Sequence, residues 1–272
     1  MGKAGITLST VDQAAANAFE IFKGRGFRET REGIYENGDM FLVPVPREIV
    51  PVEGEAPTGA DPYPFDYDAL AAELGVDYFV VASRHWARSG QPSLTAHATG
   101  NFGDALLGGR PHELQYVPAD ALRNFYVALK RNPPQGFMVS LEATHHSPTQ
   151  FRVPIFFAEV GSSEVQWDDL TACEYLVDAI LEGIASKEKA PHAIGFGGGH
   201  YCPKFSVMEG EHAFGHIAAK YAIPNLNDEL ITQMVKKTGG VERAYIESGL
   251  KGSEKTMLKA ALGRLGIEYV IV

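Results

Sequence analysis

Apolar positions along the chain fall into short runs with two different rhythms. Residues 6–9, 40–45, 78–81, 137–141, 153–160, 192–196 and 269–272 are compact apolar stretches of strand length. Residues 14–22, 68–74, 120–130, 168–184, 211–221, 226–237 and 253–265 carry the three- and four-residue spacing of helices. The clearest is 168–184, where Leu170, Leu176, Val177, Ile180, Leu181 and Ile184 share one face. Gly24 and Gly26 close the first helix. Between 44 and 64 six prolines interrupt both rhythms, which predicts an irregular loop insertion. The alternation of strand and helix predicts an α/β fold over 1–272 as one domain, with a central, mostly parallel sheet covered on both faces. In such folds ligands bind beyond the carboxyl ends of the strands. Three predicted strands run into histidine there: His85, His145-His146 and His200. Parallel neighbouring strands would bring these imidazoles together at one edge.

Composition narrows the picture. With 272 residues and 45% hydrophobic positions the chain can bury a large core. No apolar run reaches about 18 residues, so no transmembrane helix is expected, and the first residues lack the apolar stretch of a secretion signal. Two cysteines, Cys173 and Cys202, leave no room for a disulfide scaffold and make the cytosol the default compartment. A net charge of −10 argues against a protein that coats nucleic acid indiscriminately. Against that background, 231–266 carries seven cations and three carboxylates.

The segment Glu142-Ala143-Thr144-His145-His146-Ser147-Pro148-Thr149 is the most unusual. Imidazole is the commonest metal ligand and the natural base near neutrality, so a catalytic or metal-binding role is expected there. Gly197-Gly198-Gly199-His200-Tyr201 offers main-chain N–H groups to an anion, but is neither a dinucleotide fingerprint nor a P-loop. His97, Thr99 and Asn101 alternate along an extended segment. His212 and His216 stand four apart and would share one face of the predicted 211–221 helix. Cys202 lacks the surroundings of a thiol nucleophile, and no serine-hydrolase elbow occurs.

The motifs Ser83-Arg84-His85, Ser93–Asn101, Ala143–Thr149, Glu159–Trp167 and Gly197–Pro203, in this order, resemble the archaeal and plant type of D-aminoacyl-tRNA deacylase. The resemblance extends from Asp12 to the lysine-rich C-terminal segment. It departs at Ser147, where glycine is usual, and at Lys204, where arginine is usual. It implies a three-layer α/β/α fold of the phosphorylase/hydrolase kind, similar to peptidyl-tRNA hydrolase, and hydrolysis of the ester between a D-amino acid and tRNA in the cytosol. It also implies zinc. His85, His145 and His200 are the expected ligands, with His97 or His216 as replacements, and a zinc-bound water would be brought to a pKa of about 7. His146 or Glu142 would orient or deprotonate that water. Gly197, Gly198 and Gly199 would steady the oxyanion or the terminal phosphate, and His97, Thr149 and Tyr201 would line the substrate site. Lys251 and Lys255, beside a helix start, are expected to meet the tRNA. No DNA or membrane partner is expected, and a monomer is the working state. Two other readings compete: a metal-dependent hydrolase or phosphorylase of small substrates on the same fold, and a non-catalytic tRNA-binding module. The latter should interleave aromatic and basic residues. The aromatic residues here lie mostly in apolar runs.

Overall fold

The computed structural model describes residues 2–50 and 66–272. Much of the proline-rich 44–64 insertion therefore lies outside the described residues. The strands are β1 (Ala4–Ser9), β2 (Arg28–Arg31), β3 (Ile34–Asn37), β4 (Met40–Val45), β5 (Tyr78–Trp86), β6 (Ser93–Ala98), β7 (Met138–Leu141), β8 (Ile155–Ser162), β9 (His192–Phe196), β10 (Ala213–Ala218), β11 (Arg243–Ile246) and β12 (Glu268–Ile271). The helices are α1 (Gln13–Gly24), α2 (Tyr67–Leu74), α3 (Ala119–Leu129), α4 (Glu164–Trp167), α5 (Leu170–Ala185), α6 (Pro203–Met208), α7 (Asp228–Lys237) and α8 (Gly252–Leu265). Among the described residues, no helix is long and apolar enough to cross a membrane.

The fold is mixed α/β, built on two sheets. An eight-stranded sheet has the order β2-β3-β4-β1-β5-β8-β6-β7, and a four-stranded sheet has the order β10-β9-β11-β12. Strands β4, β1, β5 and β8 are parallel, and the second sheet is parallel throughout. The alternation of side chains on β1, β5, β6 and β8 divides the large sheet into two faces. Ile6, Leu8, Val80, Ala82, Leu94, Ala96, Phe156, Ala158 and Val160 pack with α1, α3 and α5 in one core. The other face puts Phe79, Val81, Ile155 and Phe157 under Tyr67 and Leu74 of α2. Further along the same strands that second face turns polar, with His85, Thr95, His97 and Glu159.

Two expectations fail. β6 runs antiparallel to β8 and carries β7 with it, so His85 and the His145-His146 pair do not leave parallel neighbours at one sheet edge. The 211–221 segment is not a helix. It contains β10, buried on both faces, and His216 is a strand residue whose ring meets Thr144 Oγ1 at 3.2 Å and the Gln115 carbonyl at 3.0 Å. A strand buried on both sides loses the period-two signal, and the four-residue spacing of its histidines imitates a helix.

The two sheets join along the chain that leaves β7. Ala143 N–H donates to the His200 carbonyl at 2.8 Å, Thr144 N–H to Ile217 at 2.9 Å, and Cys202 N–H to Leu141 at 2.9 Å. Glu142 pairs with Tyr201 across an antiparallel bridge, and Thr99 pairs with His145. This seam brings the separated motifs together.

Candidate active site

At the seam, five histidines and two glutamates converge from β5, β6, β8, the segment after β7 and the loop after β9. Ring centroids are 4.3 Å apart for His97–His145, 4.9 Å for His97–His146, 4.4 Å for His145–His146, 4.7 Å for His145–His200 and 5.5 Å for His85–His200. Adjacent His145 and His146 reach the same space because His146 turns the chain in the left-handed region, at φ 45°. His85 lies beside Gly161, where any Cβ would stand 2.7 Å from its Cβ and carbonyl oxygen. The cluster opens into a cavity of about 720 Å³, whose walls include Asp12, Arg84, Trp86, Leu107 and Trp167 as well as His85, His145, His146, Glu159 and His200.

The cluster divides by chemistry. His97, His145 and His146 each donate from Nδ1 to a main-chain carbonyl, of Ala98 at 3.1 Å, Ala143 at 2.8 Å and Ser147 at 2.6 Å. A carbonyl can only accept, so a neutral ring keeps a lone pair at Nε2, as His145 and His146 do. Burial opposes the charged form of His97, but Glu159 beside its Nε2 raises that ring above the ordinary histidine value, and it must give up this proton to serve as a ligand. One ligand nitrogen from each lies within 4.8 Å of the others, and Nε2 of His97 is buried without a hydrogen-bond partner. Rings fixed through Nδ1–H to the main chain, with one ligand nitrogen of each close to the others, are an arrangement by which proteins hold a metal. Burial, reinforced by the charge of His97, lowers His146 to about 4 and takes His145 well below the ordinary histidine value, so both stand as neutral ligands.

The remainder is an acid–base network. Glu142 Oε1 lies 3.2 Å from His85 Nδ1, and Oε2 lies 3.0 Å from His200 Nε2 and 3.7 Å from His145 Nε2. Neither oxygen has a partner of hydrogen-bond geometry among the described residues, although Glu142 is 2% exposed. Burial alone would raise the carboxyl, but His200 and His85 outweigh it and hold Glu142 at about 2. Glu159 lies 3.4 Å from His85 Nδ1 and 3.7 Å from His97 Nε2, and those imidazoles pull it far below the carboxylate range despite its burial. Burial opposes the charged form of His85 as well, yet Glu159 and Glu142 raise it to about 10. On its other nitrogen, Nε2, His85 meets Tyr201 Oη at 2.9 Å. One ligand atom from each of His85, Glu142 and His200 also lies within 4.8 Å of the others.

The expected residues are thus distributed unevenly. His85, His97, Glu142, His145, His146, His200 and Tyr201 meet. The expected ligand set splits, with His145 gathered with His97 and His146 rather than with His85 and His200. Thr149 is fully buried, with its hydroxyl accepting from Arg110 N–H at 2.8 Å. In the glycine run, Gly197 spends its N–H on Ala218 at 2.8 Å, and a Cβ there would strike Glu247 at 2.5 Å. Gly198 and Gly199 remain near the site beside His200. Lys251 and Lys255 start α8 apart from the cluster, with Lys251 near Glu254 and Lys255 on the Ser248 carbonyl. Glu159 was missed as a site residue. Its signal is a carboxylate set between the apolar run Ile155-Phe156-Phe157-Ala158 and Val160, a position that needs a buried partner.

Comparison with known proteins yields one family. Its model, described as D-aminoacyl-tRNA deacylase, matches residues 72–270. A D-aminoacyl-tRNA deacylase of Pyrococcus horikoshii is 32% identical over 284 residues, covering 97% of this chain and 98% of its own. One from Ignicoccus hospitalis is 38% identical over 216 residues, covering 78% and 86%. A crystal structure described as a conserved protein of unknown function superposes with a TM-score of 0.86 at 25% identity, covering 99% of this chain and 95% of that one.

Proposed function

The chain belongs to the D-aminoacyl-tRNA deacylase family, and on that premise we propose that its histidine–glutamate cluster hydrolyses the ester joining a D-amino acid to the 3′ end of tRNA, releasing both. The observation that carries this reading is the pairing of a three-nitrogen cradle with an ionised carboxylate whose oxygens have no hydrogen-bond partner, behind a cavity lined by His85, His145, His146 and His200. Ester hydrolysis needs an electrophile on the carbonyl and a base on the water, and the two halves of the cluster supply these separately.

The donor set fits zinc. His97, His145 and His146 would hold it through Nε2, a three-histidine set with room for a further ligand. When bound, zinc would polarise the ester carbonyl and acidify water at that place. Glu142, ionised at neutral pH, takes the proton of the attacking water. His85 and His200 hold that carboxylate in position from either side. The Gly198 and Gly199 N–H groups face the developing oxyanion. The apolar walls of Trp86, Leu107 and Trp167 take the amino-acid side chain. The enzyme would act in the cytosol, on tRNA.

Matched D- and L-tyrosyl-tRNA, incubated with the metal-loaded enzyme, should separate. The D-ester is hydrolysed and the L-ester survives. Equal rates on both, or no turnover of either, would refute the reading.

Lys251 and Lys255 would meet the tRNA backbone. Within the positive excess of 231–266, Arg243 meets Glu268, Arg264 meets Asp228 and Lys237 lies near Glu113, whereas Lys251 is exposed at the start of α8 and Lys255 stands half-buried one turn on. The double substitution of Lys251 and Lys255 by Glu should raise KM about 10-fold at low salt and flatten its salt dependence, with kcat unchanged. Unaltered KM across a salt series would move the tRNA path elsewhere.

A further inference from the structure

We propose that Tyr201 is a catalytic acid: its phenol gives its proton to the ribose oxygen as the ester bond breaks, and His85 replaces that proton. The inference rests on the deacylase reading above and assigns the half of the reaction that reading leaves without a group. Attack by water is served by the cradle and Glu142. Departure is not, and the leaving group is a ribose alkoxide, too basic to be expelled without a proton.

The geometry points to Tyr201. Its Oη lies 2.9 Å from His85 Nε2, and His85 Nδ1 faces Glu142 Oε1 at 3.2 Å and Glu159 Oε2 at 3.4 Å. Two carboxylates on the Nδ1 side favour an imidazole protonated on both nitrogens. Nε2–H then donates to Tyr201 Oη, and the phenol's own hydrogen is left for another acceptor. The main chain locks this relation, because Tyr201 pairs with Glu142 across the seam. Tyr201 is half-buried, and its hydroxyl touches His85, which lines the cavity, so the proposal seats the ester against this pair.

The protons balance along this line. Water adds its oxygen to the acyl carbon and gives one proton to Glu142. The carbon–oxygen bond to ribose breaks, its electron pair stays on the ribose oxygen, and that oxygen takes the Tyr201 proton. Tyr201 is reprotonated from His85 Nε2, which leaves His85 neutral with its Nδ1–H still facing the carboxylates. Glu142 then releases its proton to bulk water, and His85 Nε2 recovers one from the water of the cavity it lines. Nothing is consumed except water.

The test compares wild type and Tyr201→Phe, both metal-loaded, on D-tyrosyl-tRNA. The variant should lose about 100-fold in kcat with KM and melting temperature unchanged. The same pair is then measured on tRNA whose terminal ribose bears a 2′-fluorine, which makes the leaving oxygen less basic. The deficit should shrink to less than about 10-fold, since a better leaving group needs less acid. His85→Gln, which removes the resupply, should show the same shrinking deficit. An equal deficit on both substrates for both variants, or a fully active Tyr201→Phe, would overturn the role. Failure of the wild type on D-tyrosyl-tRNA would instead remove the deacylase reading, and this role with it.

Discussion

Replacement of Glu142 by glutamine should lower kcat by about 1,000-fold, within the range lost with a positioned base, while KM for D-aminoacyl-tRNA stays near the wild-type value. The amide keeps the size of the carboxyl but cannot take a proton. Its neighbours His85 and His200 at 3.2 and 3.0 Å still pack against it, so the fold should persist. Zinc content should also persist, because Glu142 stands outside the three-nitrogen cradle. Single-turnover deacylation alongside metal analysis separates these effects. A Glu142→Gln enzyme with wild-type kcat would show that the water loses its proton elsewhere. The pH dependence should agree. Because His200 and His85 hold Glu142 near 2, lowering the pH from 7 to 5 leaves the base ionised, and no loss of kcat over that window should come from this group.

The second large effect concerns the cradle. His146→Ala should reduce bound zinc to a small fraction of one ion per chain under dialysis and depress kcat by at least about 100-fold, second-shell losses alone being 10- to 100-fold. His97→Ala should behave alike. His85→Ala should keep its zinc, which distinguishes this assignment from the ligand set His85, His145 and His200 expected from strand ends. Retention of a full ion by His146→Ala, and its loss from His85→Ala, would reverse the assignment.

The functional histidines could be found in the sequence because imidazoles at the ends of apolar runs are chemically conspicuous. Their division into a cradle and a network could not be found there. It depends on which nitrogen each ring spends on the main chain, as His97 does on Ala98 and His146 on Ser147. The β/α rhythm yielded most elements with ends close to the observed ones, including α1, α3, α5 and β9. It missed β3, β6 and β11, and also β2, whose residues Arg28-Glu29-Thr30-Arg31 lie exposed at a sheet edge and show no apolar alternation. It misread β10 because burial on both faces erases the period of two. The reversal of β6 and β7 was equally hidden, since strand direction is set by the path of the connection and not by the composition of the strand. Glu159 was overlooked because its importance comes from His85 and His97, which lie 74 and 62 positions earlier.

The residues that do the chemistry belong to two sheets held together by hydrogen bonds on either side of Glu142. Partial opening along that line would part Glu142 from His200 and Tyr201 while each sheet kept its own strands paired. Catalytic competence is thus a property of the docked pair, and loss of activity on warming should precede the loss of regular backbone structure in either half.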